Sequence, residues 1–181
     1  VRASRPPLLR LLLGLTLALA LCPGCGYSLA RYGRGGERER RVSIQTLEND
    51  SSEPGVELLV TDALRREFLS RGGLRLVSDP KRADLVIRGR VEPIATRARS
   101  FSSVVLALEY ELTLSLDLRF ETRGGEPLDL GFDRASFEDT EVYLASADVE
   151  AGRKNRLEAL RRVADLLASR VHDSVDRAAL Q

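Results

Sequence analysis

The chain has 181 residues, 43% of them apolar and 30% charged, enough for one globular body plus a targeting segment, which excludes a polytopic membrane protein and a disordered chain. The formal charge of +1 hides an asymmetry, because Arg2, Arg5 and Arg10 stand in a stretch without acids, whereas from Cys25 onward 25 basic side chains face 27 acidic ones. That body lacks the basic footprint of nucleic-acid binding, and no nucleic-acid partner is expected.

Leu11 to Leu21 is an uncharged Leu- and Ala-rich run behind the three arginines. As a helix it spans roughly 16 Å, about half a bilayer's hydrocarbon thickness, so it reads as the h-region of a cleaved signal and not as a transmembrane helix. Both cysteines follow in Leu21-Cys22-Pro23-Gly24-Cys25-Gly26-Tyr27. A redox Cys-x-x-Cys pair belongs between a strand and a helix of a folded domain, and a zinc site needs two more ligands, of which the distant His172 is the single histidine. The third reading is a lipobox: Gly24 is the small residue before Cys25, and Cys25 becomes the acylated N-terminus. Cys22 stands where such boxes usually carry Leu. Residues 1–24 are therefore expected to be a lipoprotein signal peptide, residues 25–41 a lipidated N-terminus and tether, and residues 42–178 a single domain. Each buried methylene contributes about 0.8 kcal/mol, so several acyl chains on Cys25 make a stable anchor where one does not.

Ala30 to Arg41 is rich in Gly and mixed charge and reads as a solvated linker. Val42, Ile44 and Thr46 alternate as a short strand that the cluster Asn49-Asp50-Ser51-Ser52 ends. A helix follows from Pro54, with Val56, Leu59, Val60, Ala63, Leu64 and Phe68 on one face and Gly72-Gly73 as its stop. Glu67 falls inside the apolar arc and is expected to reach out near the helix end. Leu74 to Val77 is a candidate strand. Asp84 to Val91 is another, with Leu85, Ile87 and Val91 on one side and Arg88 and Arg90 on the other. The strongest periodicity runs from Val104 to Phe120, where every even-numbered residue is apolar. Seventeen residues would extend roughly 55 Å, so a bend or bulge is expected. Arg123 to Pro127 makes a hairpin turn, Leu128, Leu130 and Phe132 begin the return strand, and a bulge near Asp133 restores the phase shifted at Ala135 and Phe137. Asp148 to about Val175 is a long amphipathic helix, with His172 expected on its surface. The order β-α-β-β-β-α predicts an α+β sandwich of two layers, two helices packed on one face of a roughly four-stranded sheet.

Catalytic chemistry is sparse. Beyond Cys25 there is no cysteine, His172 has no partners that sequence can nominate, no Gly-rich phosphate loop joins a strand to a helix, and the carboxylates are scattered. No enzyme, metal or cofactor is expected apart from the covalent lipid on Cys25. Arg88 and Arg90, with Arg97 and Arg99 downstream, are candidate phosphate contacts, because guanidinium forks match phosphate oxygens; a solvated strand face is the plainer reading.

Cys25-Gly26-Tyr27-Ser28-Leu29 resembles the mature start of the LptE family of lipopolysaccharide-assembly lipoproteins. In order, Val42-Ser43-Ile44 with Glu48-Asn49 resembles its first strand, and Glu53-Pro54-Gly55 with Thr61 to Phe68 its first helix. Ala83 to Gly89 resembles its next strand, and Asn155 to Leu160 the start of its last helix. Gln45-Thr46-Leu47 replaces the Pro and Phe often found after the first strand. The resemblance implies outer-membrane anchoring on the periplasmic side and a place as plug in the β-barrel partner LptD. It also implies a part in delivering lipopolysaccharide to the surface without turnover. It implies no particular lipopolysaccharide-binding residue. A periplasmic lipoprotein that activates a cell-wall synthase or serves a secretion channel remains the alternative reading.

Overall fold

In a computed structural model, the described residues are 40–101, 107–131 and 137–179. Cys25, the lipobox and most of the tether lie outside them. β1 (Arg40–Ile44) begins two residues inside the segment read as tether, and β2 (Glu48–Asn49) follows after a bend. Next come α1 (Val56–Arg71), β3 (Leu74–Leu76), a single 3-10 turn at Pro80–Arg82, β4 (Leu85–Val91), β5 (Ala95–Phe101), β6 (Ala107–Thr122), β7 (Glu138–Leu144) and α2 (Val149–Ala179).

Among the described residues the sheet has seven strands where the sequence predicts roughly four. Its main order is β3-β1-β4-β6-β5, with β2 beside β4 and β7 beside β6. The first three strands and β4 pair in parallel, whereas β4, β5 and β7 all pair antiparallel with β6. The α+β class holds, but the simple element order does not. The β5 strand escapes a pattern reading because Ala95-Thr-Arg-Ala-Arg-Ser-Phe101 has no apolar alternation.

The long strand accommodates its length by changing neighbours. From Leu116 to Thr122, β6 pairs with β4, and from Ala107 to Ser115 it pairs with β5 on one edge and β7 on the other. Sixteen residues extend roughly 50 Å. Between Val91 opposite Leu116 and Ala95 opposite Thr113, the residue sum of each pair changes by one, so Glu92 to Ile94 form a bulge after which β5 continues β4 along the same edge. The expected return strand at Leu128 to Phe132 is corrected. After the turn only Glu121 and Pro127 form a bridge, with Leu128 N–H donating to the Phe120 carbonyl at 2.7 Å, and the paired strand starts at Glu138. Phe132 and the expected bulge at Asp133 lie outside the described residues. The register offset between bridge and strand is odd, which reverses which residues face inward, as the sequence phase required.

Both helices lie on the side of the sheet that carries the even-numbered residues of β6, where Leu112, Leu114, Leu116 and Phe120 are buried. The helices run in the same direction, since Arg156 meets Glu53 at 2.9 Å, Arg66 meets Asp165 at 2.8 Å and Arg71 meets Asp173. Val60, Leu64 and Phe68 of α1 and Leu160, Val163, Leu167 and Val171 of α2 join Val42, Ile44 and Ile87 in one core. Each such side chain contributes about 1.5–3 kcal/mol on burial. Buried Thr61 of α1 accepts from Leu47 N–H at 3.1 Å, which fastens the bend between β1 and β2 to the helix. Glu67 reaches Arg71 at 2.6 Å.

His172 corrects the expected surface histidine: it is 4% exposed, with its ring edge-on to Phe68 at 4.9 Å. It lies about a third of a turn from the middle of the α2 apolar stripe, on the flank that meets Phe68 of α1. The free edge of β7 is also covered by α2. The carbonyls of Leu144, Val142 and Glu138 accept from Asn155, Arg162 and Arg170 at 3.0, 3.4 and 3.1 Å.

Candidate functional site

The odd-numbered face of β6 and its continuation on the neighbouring strands carry no helix. Cross-strand pairs determine its chemistry. On β6 and β4, Asp117 stands opposite Arg90 and Arg119 opposite Arg88. On β6 and β5, Glu111 stands opposite Arg97. Towards β7, Thr113 bonds Thr140 at 3.0 Å and Ser115 donates to Glu138 at 3.0 Å. At the turn end, Arg41 lies opposite Arg75, and Asp84 holds both Arg41 and Arg123. Hydrogen bonds from the Arg41 guanidinium, and then from its amide, keep the Asp84 carboxyl well below the usual carboxylate range, with the charge of Arg123 adding to the effect.

The four arginines named from sequence separate into two groups. Arg88 and Arg90 share the turn-proximal half, where Arg88 meets Glu121 at 3.1 Å and Arg90 meets Asp50 at 3.2 Å and Asp117 at 3.5 Å. The pairing partner of Arg97 lies eight residues from that of Arg88, about 26 Å along β6. Arg97 is bound by Glu111, and Arg99 sits at a register shift between Ala98 and Ser100, exposed and without an ion pair among the described residues. The bulge at Glu92 to Ile94 is what brings even-numbered Arg90 and odd-numbered Arg97 to the same face. Arg119 belongs with Arg88 and was missed as a site residue, because sequence shows that it is wet but not what stands opposite. Among the described residues no group of acids and histidines could hold a metal ion, and no helix is long and apolar enough to cross a membrane.

A cleft of about 530 Å³ opens along β6 next to Arg119, lined by Leu116, Leu118, Pro127, Leu128 and Leu130.

The family model described as LptE, lipopolysaccharide-assembly, matches residues 40–175, which spans all seven strands and most of α2. The chain belongs to the LptE family. Membership assigns it to lipopolysaccharide assembly. Among solved structures, a hypothetical protein from Chlamydia trachomatis is similar in fold, with a TM-score of 0.53 at 10% identity over 77% of this chain and 96% of that one. Rare lipoprotein B from Shewanella oneidensis aligns with a TM-score of 0.49 at 18% identity, over 74% of this chain and 96% of that one. A minor lipoprotein from Acinetobacter baumannii aligns at 0.46 and 19% identity, over 78% and 94%. No curated protein matches the chain by sequence.

Proposed function

We propose that this LptE-family chain is a lipoprotein of the outer membrane, held on its periplasmic side by acyl groups on Cys25, and that it plugs and supports an LptD-type β-barrel during lipopolysaccharide assembly without catalysing a reaction. One observation carries the plug reading: β6 presents a face whose outward side chains from Glu109 to Glu121, over about 40 Å, are all charged or hydroxylated, while Leu112, Leu114, Leu116 and Phe120 on its other face are buried. Barrel interiors are polar and wet, so a wall of this kind can be enclosed without stranding apolar surface. Arg88 and Arg90 are the contacts proposed for lipopolysaccharide phosphates in the turn-proximal half; Arg97 and Arg99 would meet anionic groups only as a separate patch.

The test is affinity capture of the tagged full chain from envelope extracts, with mass spectrometry of its N-terminal peptide. The expected result is a large β-barrel protein in near-equal amount and a lipid-modified Cys25. Capture of a peptidoglycan synthase or a secretion channel in its place would replace this reading with the alternative one, and an unmodified Cys25 would remove the anchor.

A further inference from the structure

Across the outer face, cations stand opposite anions at Arg90 and Asp117 and at Arg97 and Glu111. Arg88 opposite Arg119 breaks that rule, as does Arg41 opposite Arg75, where Asp84 binds Arg41 directly. Paired positions on antiparallel strands are about 5 Å apart at Cα, and like charges placed so are destabilising. Among the described residues, the acids that relieve Arg88 and Arg119 come from the diagonals. Glu121 binds Arg88 at 3.1 Å, but among the described residues Arg119 has only Asp117 at 3.9 Å, and Asp117 also serves Arg90 at 3.5 Å. Arg119 is 64% exposed. Its guanidinium thus holds a shared carboxylate at the limit of an ion pair. A phosphate has the acceptor oxygens and the charge to bind both forks at once, which converts the repulsion into a bridge.

The second observation is the cleft that Arg119 lines. It follows the edge of β6 between the bridge at Glu121 and Pro127 and the start of the β7 pairing at Ser115. Its lining includes inward-facing Leu116 and Leu118 as well as outward-facing Asp117, Arg119 and Glu121, the last paired with Arg88, and Asp129 of the far wall, so it passes round the strand edge from the charged face to apolar walls. A volume of about 530 Å³ is in the range of small-molecule sites. Leu128, on the far wall, is 39% exposed.

We infer that Arg88 and Arg119 form a phosphate seat continuous with the Leu116–Leu130 cleft, making one site for a phosphorylated amphiphile whose chain lies against Leu118 and Leu128. The site deepens the lipopolysaccharide reading and rests on it for the identity of the natural lipid, while its chemistry stands on the register and the cleft.

The experiment titrates the full chain in nonionic detergent with dioctanoyl phosphatidate, dioctanoylglycerol and inorganic phosphate. Phosphatidate is expected to bind at least about tenfold more tightly than phosphate, and dioctanoylglycerol not to displace it. Arg119→Gln is expected to weaken phosphatidate by about tenfold, the usual scale for a charge-assisted bond. Leu128→Asn should weaken phosphatidate and leave phosphate unchanged, and Arg161→Gln, an exposed α2 arginine paired with Glu158, should leave both as they are. Circular dichroism verifies that each variant is folded. Unchanged phosphatidate binding by both Arg88→Gln and Arg119→Gln overturns the seat, and equal affinity for phosphate and phosphatidate overturns the cleft. A lipopolysaccharide arm separates the two readings. If lipopolysaccharide does not compete with an Arg119-dependent phosphatidate, the site stands and the lipopolysaccharide reading fails. If it binds wild type and both variants alike, that reading stands and the site fails.

Discussion

Gly89 lies between Arg88 and Arg90 on β4 and opposite Leu118 on β6, and its replacement by alanine tests the register on which the arginine pair depends. A Cβ at this position would lie 2.2 Å from the Asp117 carbonyl oxygen, 2.9 Å from Leu118 Cδ2 and 3.0 Å from Leu118 Cα. The Leu118 methyl can rotate away. The carbonyl cannot, because Asp117 and Leu118 are fixed in the ladder with Arg90 and Gly89. Reaching ordinary contact requires roughly an ångström of separation between β4 and β6, which strains the ladder at the centre of the sheet. Overpacking of this kind costs about 2–3 kcal/mol, and in a domain of this size each kcal/mol lowers Tm by about 3 °C, so Gly89→Ala should melt roughly 6–9 °C below wild type. The matched control is Gly124→Ala in the turn, where the nearest atom would be Thr122 Oγ1 at 3.8 Å and the change should stay within about 0.5 kcal/mol. Thermal unfolding followed by circular dichroism measures both. A Gly89→Ala protein that melts with the Gly124→Ala control would refute the close approach of the two strands.

Other outcomes follow from single residues. Gly152 in the first turns of α2 has room for a Cβ, with Ser146 O at 3.9 Å as its nearest contact, so Gly152→Ala should stabilise the protein by about 0.5–1 kcal/mol in urea denaturation. Neither ring nitrogen of buried His172 has a hydrogen-bond partner among the described residues, so His172→Leu, similar in volume and apolar, should raise stability by about 1 kcal/mol; a loss of that size would mean the imidazole is satisfied. Asp84 has its carboxyl pKa lowered by Arg41, so its contribution is present above the unfolded value of about 4 and is lost as pH falls towards the folded value. Asp84→Asn should cost under about 1 kcal/mol at pH 7, because the side chain is 38% exposed and screened, and its deficit should shrink at pH 3; an equal deficit at both pH values would contradict the linkage.

The core was legible because β6 alternates from Leu108 to Phe120, and a two-residue period on one long strand fixes which face meets the helices. The same logic recovered α1, β4 and α2, whose buried residues follow their own periods. β5 was not legible: its inward positions are Thr96 and Ala98, too small to mark a face, and an edge strand held by pairing to β6 needs no apolar signature. His172 was misplaced because helical periodicity sees only the helix it belongs to, and the flank carrying this residue is buried by Phe68 of another element. The candidate site was half legible. Arg88 and Arg90 project from a face that sequence identifies, but register is a property of two strands. Nothing within either segment tells that Arg119 lies opposite Arg88, or that the bulge at Glu92 to Ile94 returns Arg97 to that same face 26 Å away.

Register also constrains how this molecule can meet a partner. β7 is a regular edge strand of seven residues with neither proline nor lysine, the type that invites strand addition. Yet three of its outward carbonyls already accept from Asn155, Arg162 and Arg170, side chains spaced along α2 so that the helix shields the edge as well as the core. On the other side β5 carries two arginines and a register shift at Ser100, features that disfavour a further strand. With both edges of the β5-β6-β7 half blunted, a partner there meets side chains and not backbone. A partner that surrounds the sheet, as a barrel wall does, fits such a surface better than one that extends it, and this is the physical reason to place the charged face of β6, and not its edges, at the centre of any assembly.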